Sequence, residues 1–175
     1  MIPTLDTPRL HLRAHTAADL PALAAIWADP VVVRYIGNTP STLEQSWARL
    51  LRYAGHWALL GFGFWAIEER ASGRFAGEIG LADFKRDITP AIEDRETGWV
   101  LAPWAHGHGY ATEALRAVLA WADATFPDAA TACVIEPDNV ASRRVAEKCG
   151  YREQHATTYH GDPIVIFRRA SGHPA

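Results

Sequence analysis

The sequence is short of most features that would settle its class at once. It holds two cysteines, Cys133 and Cys149, with neither CxxC spacing nor a neighbouring His/Cys cluster. A disulfide scaffold is therefore excluded, and both thiols read as small buried hydrophobes in a reducing compartment. A run of about 18 apolar residues is missing. Met1 to Arg13 carries no basic region followed by an apolar stretch, so a soluble, cytoplasmic protein without membrane attachment is expected. Charge of one sign is missing as well. Lys and Arg number 17 against 20 Asp and Glu, for a net charge of −3, which provides no field for nucleic acid. The small negative balance leans toward a basic acceptor. No internal repeat, low-complexity tract or long linker interrupts the chain. One domain over 1–169 is expected, with a mobile tail at 170–175.

What is present is an ordinary globular mixture, 49% hydrophobic and 21% charged over 175 residues, enough to bury a core unaided. Arg9 to Arg13 alternates polar and apolar residues and predicts a strand. Thr16 and Asp19 stand at capping-box spacing, ahead of Leu20, Leu23, Ala24 and Trp27 at helical spacing. Ser41 and Glu44 repeat that cap, and Leu43, Trp47, Leu50, Leu51 and Ala54 form an apolar stripe. Trp27, Trp47 and Trp57 all read as core. Phe62 to Glu69 and Phe75 to Phe84, separated by Ala71-Ser72-Gly73, predict a hairpin. A strand over Glu96 to Leu101 ends at Pro103. The clearest helix follows Gly109, with Ala111, Ala114, Leu115, Val118, Leu119 and Ala122 on one face. A strand over Thr131 to Ile135, a helix from about Asn139 to Gly150 and two last strands complete the order β-α-α-β-β-β-α-β-α-β-β. That order predicts a mixed α/β (α+β) domain on one largely antiparallel sheet.

The strand, glycine turn and helix from Trp99 to Leu119 carry the chemistry. A glycine turn entering a helix gathers unpaired N–H groups at the positive end of the helix dipole, an anion site suited to a diphosphate. Gly107 and Gly109 let the backbone bend without Cβ interference. The same residues could also make a tight connection and nothing more. A phosphate loop of the Gly-Lys-Ser/Thr kind is disfavoured, because no lysine follows Gly109. A dinucleotide fingerprint is disfavoured by the absent third glycine and the late position of the turn. His106 and His108 have no carboxylate or thiol at ligand spacing, so no metal is expected.

The wider set of spacings is more specific. Trp99-Val100-Leu101, Pro103-Trp104 and His106-Gly107-His108-Gly109-Tyr110-Ala111-Thr112-Glu113-Ala114 come first. Asn139-Val140-Ala141-Ser142-Arg143-Arg144-Val145 and Glu147-Lys148-Cys149-Gly150-Tyr151 follow. With Thr7 to Arg13 and Gly77 to Leu81, this order resembles the GCN5-related N-acetyltransferase (GNAT) superfamily over nearly the full chain. Within it, the chain is most similar to the branch of ribosomal-protein N-terminal acetyltransferases. The resemblance implies a sheet splayed at its central strands with helices on both faces, and acetyl-CoA as co-substrate. The family's Gln/Arg-x-x-Gly-x-Gly/Ala loop falls on His106, Gly109 and Ala111. Backbone amides from His106 through Gly107, His108, Gly109, Tyr110 and Ala111 to Thr112 are then expected to hold the coenzyme A diphosphate. His106 departs from the usual Gln or Arg. Trp99, Val100 and Leu101 are expected along the pantetheine arm, Asn139 and Ser142 against the cofactor, and Arg144 toward its 3′-phosphate. Many relatives place a tyrosine general acid where this chain has Ala146, and the branch suggests Ser142 in its stead.

The implied reaction is acetyl transfer to a primary amine by direct attack, on a protein N-terminus or a small amine. An α-amine, with a pKa of about 7.7–8.0, needs a weaker base than a lysine near 10.4. Glu96, with Gly98 and Val100 on its strand face, is the first candidate base, and Glu78 the second. Backbone N–H groups near Leu101 would steady the oxyanion. Ser142 would serve the departing thiolate, and Tyr35 would line the acceptor cleft. Each has a plainer reading: Glu96 as strand-entry charge, Glu78 as a substrate-cleft or structural polar group, Asn139 as an N-cap, Ser142 as a first-turn residue and Arg144 as solvated charge. The alternative in another class is a non-catalytic acyl-CoA-binding or sensing module, motivated by Ala146 and His106. Exposed sheet edges make a homodimer an expectation.

Overall fold

The computed structural model describes residues 1–172, so the end of the expected tail, 173–175, lies outside the described residues. The described residues form eight strands and five α-helices. A two-residue strand, β1 (Leu5–Asp6), precedes the expected first strand β2 (Leu10–Arg13), whose alternation buries Leu10 and Leu12. A 3-10 turn over Ala17–Asp19 leads into α1 (Leu20–Trp27), and a short α2 (Pro30–Val33) follows. The next helix is α3 (Leu43–Leu60), then the hairpin β3 (Phe64–Glu69) and β4 (Phe75–Ala82) and the strand β5 (Arg95–Leu101). α4 (Tyr110–Thr125), β6 (Thr131–Ile135), α5 (Val140–Lys148), β7 (Arg152–Tyr159) and β8 (Asp162–Arg169) complete the chain.

α3 departs from its expected register. Its cap is Thr42 with Gln45 rather than Ser41 with Glu44: Gln45 N–H donates to Thr42 Oγ1 at 3.2 Å, and Thr42 N–H to Gln45 Oε1 at 2.8 Å. Its buried face carries Ser46, Leu50, Tyr53 and His56. Leu43, Trp47 and Leu51, read as core, are exposed. Two of the polar groups find partners there: Tyr53 donates to Glu78, and the His56 ring bonds the Arg52 carbonyl and the backbone of Asp83, whereas Ser46 Oγ is buried without a partner.

The strands form one sheet in the order β1-β2-β3-β4-β5-β6-β8-β7. Every neighbouring pair is antiparallel except β5 and β6. On one face α4 lays Ala114, Leu115, Val118 and Leu119 against Leu12, Trp65, Ile79 and Leu81. On the other, α1, α2 and α3 bring Leu23, Ile26, Trp27, Leu50 and Tyr53 onto Phe64, Ala82 and Val100. Both cysteines are buried and free. Among the described residues, no helix is long and apolar enough to cross a membrane.

Candidate active site

The parallel pair β5–β6 holds together for only two positions, Arg95 with Thr131 and Glu96 with Ala132. From Thr97 onward β5 keeps β4 on one side, up to Leu101 opposite Gly77, and has no strand partner on the other. The point of parting is fixed by a buried polar knot. Thr97 Oγ1 donates to the Ala132 carbonyl at 3.1 Å, and the Tyr151 hydroxyl bonds both Thr97 Oγ1 at 2.9 Å and Thr131 Oγ1 at 2.8 Å. Every polar atom of the knot has a partner, so it sits in the core at little cost and holds the strand ends apart.

Between the diverging strands lies a cavity of about 460 Å³. It is lined by Trp99, Val100, Ile135, Asn139 and Ser142 from the diverging strands and the start of α5, and by Trp27, Tyr35, Arg49, Arg52, Tyr53 and Phe84 from the helical side. Gly98 faces Phe64 so closely that a Cβ there would lie 3.1 Å from its ring. Asn139 is the N-cap of α5, its Oδ1 accepting from Ser142 N–H at 3.1 Å. The cap and the lining role therefore coexist.

Beyond the end of β5, the glycine turn adopts the left-handed conformation that its residues permit, with φ of 78° at Gly107 and 79° at Gly109. The first bond of α4 runs from Glu113 N–H to the Gly109 carbonyl at 3.1 Å. The N–H groups of Tyr110, Ala111 and Thr112 thus lie ahead of the helix ladder, at its positive end. The His106 ring turns back to bond the Leu101 carbonyl at 2.9 Å, tying the turn to the end of β5. The turn is held from below by Arg9, whose NH1 donates to the His108 carbonyl at 2.9 Å and whose guanidinium pairs with Glu113 at 2.6 Å. Arg144 is exposed on α5. Its neighbour Arg143 is spent on the Pro137 carbonyl and Glu153.

The two candidate bases sit in different electrical settings. Glu96 lines the cavity, but its carboxylate takes the Arg86 guanidinium as a fork, with contacts of 2.6, 2.8 and 3.0 Å. Glu78 is 1% exposed and stands behind the cavity wall. Its Oε1 accepts from Tyr53 Oη at 2.5 Å and from Trp27 Nε1 at 3.0 Å, while Oε2 has no partner. Burial pushes its pKa up to about 7, against the pull of Tyr53, Arg49, Trp27 and Arg52. Tyr53 does line the cavity, and burial beside Glu78 lifts its hydroxyl well above the ordinary phenol range. The hydroxyl therefore stays protonated.

The structure thus gathers Glu96, Trp99, Val100, Asn139, Ser142 and Tyr35 around one cavity, with Glu78 one residue behind; Leu101, the 106–112 turn and Arg144 are not part of its lining, the turn being tied to the end of β5 through His106. Sequence reading missed Arg49, Arg52, Tyr53, Arg86 and Tyr159, all of which line it. One signal for them existed: Arg49, Arg52 and Tyr53 stand at i, i+3 and i+4, the spacing of a shared helix face. Among the described residues no cluster of three His, Cys, Asp or Glu groups could hold a metal.

Comparison with known proteins accords with this geometry. The acetyltransferase (GNAT) domain family matches residues 9–152. An acetyltransferase from Agrobacterium tumefaciens is 30% identical, with a TM-score of 0.83 over 96% of this chain and 94% of its own. A putative GnaT-family acetyltransferase from Bordetella pertussis is 28% identical, with a TM-score of 0.85 over 97% of this chain and 100% of its own. A spermidine N-acetyltransferase from Vibrio cholerae, solved with CoA and spermine, shares the fold at 15% identity, with a TM-score of 0.74 over 94% and 97% of the two chains. The strand order, the parted strands over one cavity and a match across 9–152 leave one assignment: the chain belongs to the GNAT acetyltransferase family.

Proposed function

We propose that this protein is an acetyl-CoA-dependent N-acetyltransferase that passes the acetyl group to a primary amine by direct attack. The observation that carries the reading is the parting of β5 from β6 over a cavity lined by both Ser142 and Tyr53, with the glycine turn tied to the end of β5 through His106. The unpaired edge of β5 beyond Glu96 fits the amides of a pantetheine arm, and the free N–H groups at the start of α4 fit a diphosphate. Bound acetyl-CoA would supply the electrophilic thioester. The chain supplies proton handling around it. The amine loses its proton to Tyr53 Oη while Tyr53 passes its own to Glu78, a concerted relay that never leaves the phenol ionised. Glu78 fits the base better than Glu96, because both Glu96 oxygens are engaged by Arg86. Ser142, on the cavity wall, serves the departing thiolate.

A second reading, a CoA-binding module without turnover, is favoured by the fully buried Ala146 and by that occupied Glu96. Thiol release from acetyl-CoA, followed against a panel of amines and peptide N-termini with wild type, Glu78→Gln and Glu96→Gln, separates the two. Turnover that disappears in Glu78→Gln establishes the enzyme and its base. Coenzyme binding with no turnover on any acceptor selects the module, and failure to bind coenzyme A overturns both.

A further inference from the structure

The α3 wall of the cavity carries a charge imbalance that acetyl transfer does not use. Asp83, also on the cavity lining, pairs with Lys85 at 2.7 Å, and Glu96 pairs with Arg86 at 2.6 Å. Each carboxylate on the wall thus already has its cation. Arg49 and Arg52 line the same cavity, and among the described residues neither forms an ion pair with a carboxylate. Arg49 is half-buried, with its guanidinium carbon 3.4 Å from the centroid of the Trp27 ring. Its polar neighbours are neutral: Ser41 Oγ at 3.5 Å and the Tyr53 hydroxyl. Arg52 lies over Phe84 at 5.0 Å. A guanidinium over an aromatic face keeps its N–H edge for an acceptor in its own plane.

Desolvation lowers the Arg49 pKa and the Arg52 charge adds to it, while Tyr53 and the more distant Glu78 pull the other way. Glu78 feels both guanidiniums from behind the wall, but Tyr53 and Trp27 stand between, and its bonded oxygen is theirs. Two neighbouring cations one turn apart on α3, with N–H donors and no carboxylate in direct contact with either, match a planar oxyanion.

We propose that Arg49 and Arg52 clamp a carboxylate on the acceptor, so that the amine this protein acetylates is a small amino acid-like molecule whose remainder lies against Trp27 and Phe84. A polyamine would instead bring further ammonium groups against two guanidiniums, and the local charge opposes what the net charge of the whole chain suggested. The inference rests on the acetyltransferase reading and names its acceptor.

The test is calorimetric binding to the CoA-loaded protein of matched pairs that differ only in the carboxylate: alanine and ethylamine, tyrosine and tyramine, tryptophan and tryptamine, lysine and cadaverine. Phosphoethanolamine serves as the phosphate arm. In at least one pair the carboxylate member is expected to bind about tenfold tighter or more. Arg52→Gln, at an exposed helix position, should erase that preference while leaving CoA affinity unchanged, and Arg49→Gln should do the same. Pairs that bind alike, no binding by any member, preference for phosphoethanolamine alone, or variants that weaken CoA instead would each overturn the clamp. Turnover of the same pairs keeps the two readings apart. Carboxylate-dependent binding without thiol release supports the clamp and overturns the transferase. Turnover indifferent to the carboxylate does the reverse.

Discussion

The two walls of the cavity are built on different principles. The side proposed for the coenzyme is backbone: a strand edge left without a neighbour and, beyond the end of β5, two left-handed glycines and the free N–H groups that open α4. The side proposed for the acceptor is side chain: Trp27, Arg49, Arg52, Tyr53 and Phe84, delivered to the cavity by α1, α3 and the loop after β4. A backbone site tolerates almost any side chain, provided the glycines and the strand ending are kept. A side-chain site is respecified by a few substitutions on one helix face. The difference explains how one scaffold can hold its co-substrate fixed while the acceptor varies.

The largest effect should come from the one group that joins the walls chemically. Glu78→Gln keeps an acceptor for Tyr53 and Trp27 but removes the proton sink. Its kcat should fall by roughly 10²–10⁴-fold with the fold intact, as read by thiol release beside circular dichroism. In wild type, kcat/KM should rise with pH through about 7 as Glu78 ionises. A flat profile, or a variant of near-normal rate, would remove Glu78 from the chemistry. Glu96→Gln should behave in the opposite manner. It leaves the Arg86 charge uncompensated in a largely buried pair, so about 3 kcal/mol of stability should be lost in urea denaturation. Its kcat should fall less than that of Glu78→Gln.

Glu78 also ties stability to pH. Its carboxyl is raised from 4.5 to about 7 in the fold, so the folded state favours the neutral form. That contribution is fully present below pH 4.5 and is lost as pH rises through 7. Glu78→Gln escapes the loss. Its unfolding free energy should match wild type near pH 4.5 and exceed it by up to roughly 3 kcal/mol at pH 8. Urea unfolding of both proteins at the two pH values measures the gap. A gap of the same size at both would show that Glu78 is not the titrating group.

These contrasts follow the line between what the sequence shows and what it hides. Period-two alternation located β2, and the Gly107–Gly109 pair marked the turn, because backbone demands leave local traces in residue type. α3 hid its buried face. Leu43, Trp47 and Leu51 make the more apolar stripe, yet they point to solvent. The face that goes in bears Ser46, Tyr53 and His56, and Tyr53 and His56 are satisfied by groups on β4 and just beyond it, far along the chain. Hydrophobic spacing cannot foresee a hydrogen bond closed over 25 residues. The same blindness concealed the Arg86–Glu96 fork, since nothing between Lys85 and Asp94 signals that the loop folds back onto β5.

A substitution confined to the coenzyme wall sharpens the comparison. Gly109 has a φ of +79°, and a Cβ added there would meet nothing nearer than Arg9 NH2 at 3.6 Å, an ordinary contact. Space is therefore available, and the penalty of Gly109→Ala is backbone strain alone, about 1–2 kcal/mol. Because the strain is relieved by moving the turn, it should appear as an increase of about tenfold in the KM for acetyl-CoA, with acceptor KM unchanged. An equal rise in both would mean that the two walls do not act independently.

The smallest effect separates structure from function on that wall. Arg9 is 48% exposed on its side chain, so its pair with Glu113 should contribute at most about 1 kcal/mol to stability. Yet the same side chain fixes the His108 carbonyl at 2.9 Å and lies 4.7 Å from the centre of the Tyr110 ring, bracketing the turn that presents its N–H groups. Arg9→Ala should hardly move the unfolding midpoint while raising the KM for acetyl-CoA a few-fold. Arg9→Lys, which keeps the charge but not the planar fork, should recover little of it. Full recovery by lysine would show that charge near the turn matters more than its geometry, and the coenzyme wall would then owe more to side chains than its backbone suggests.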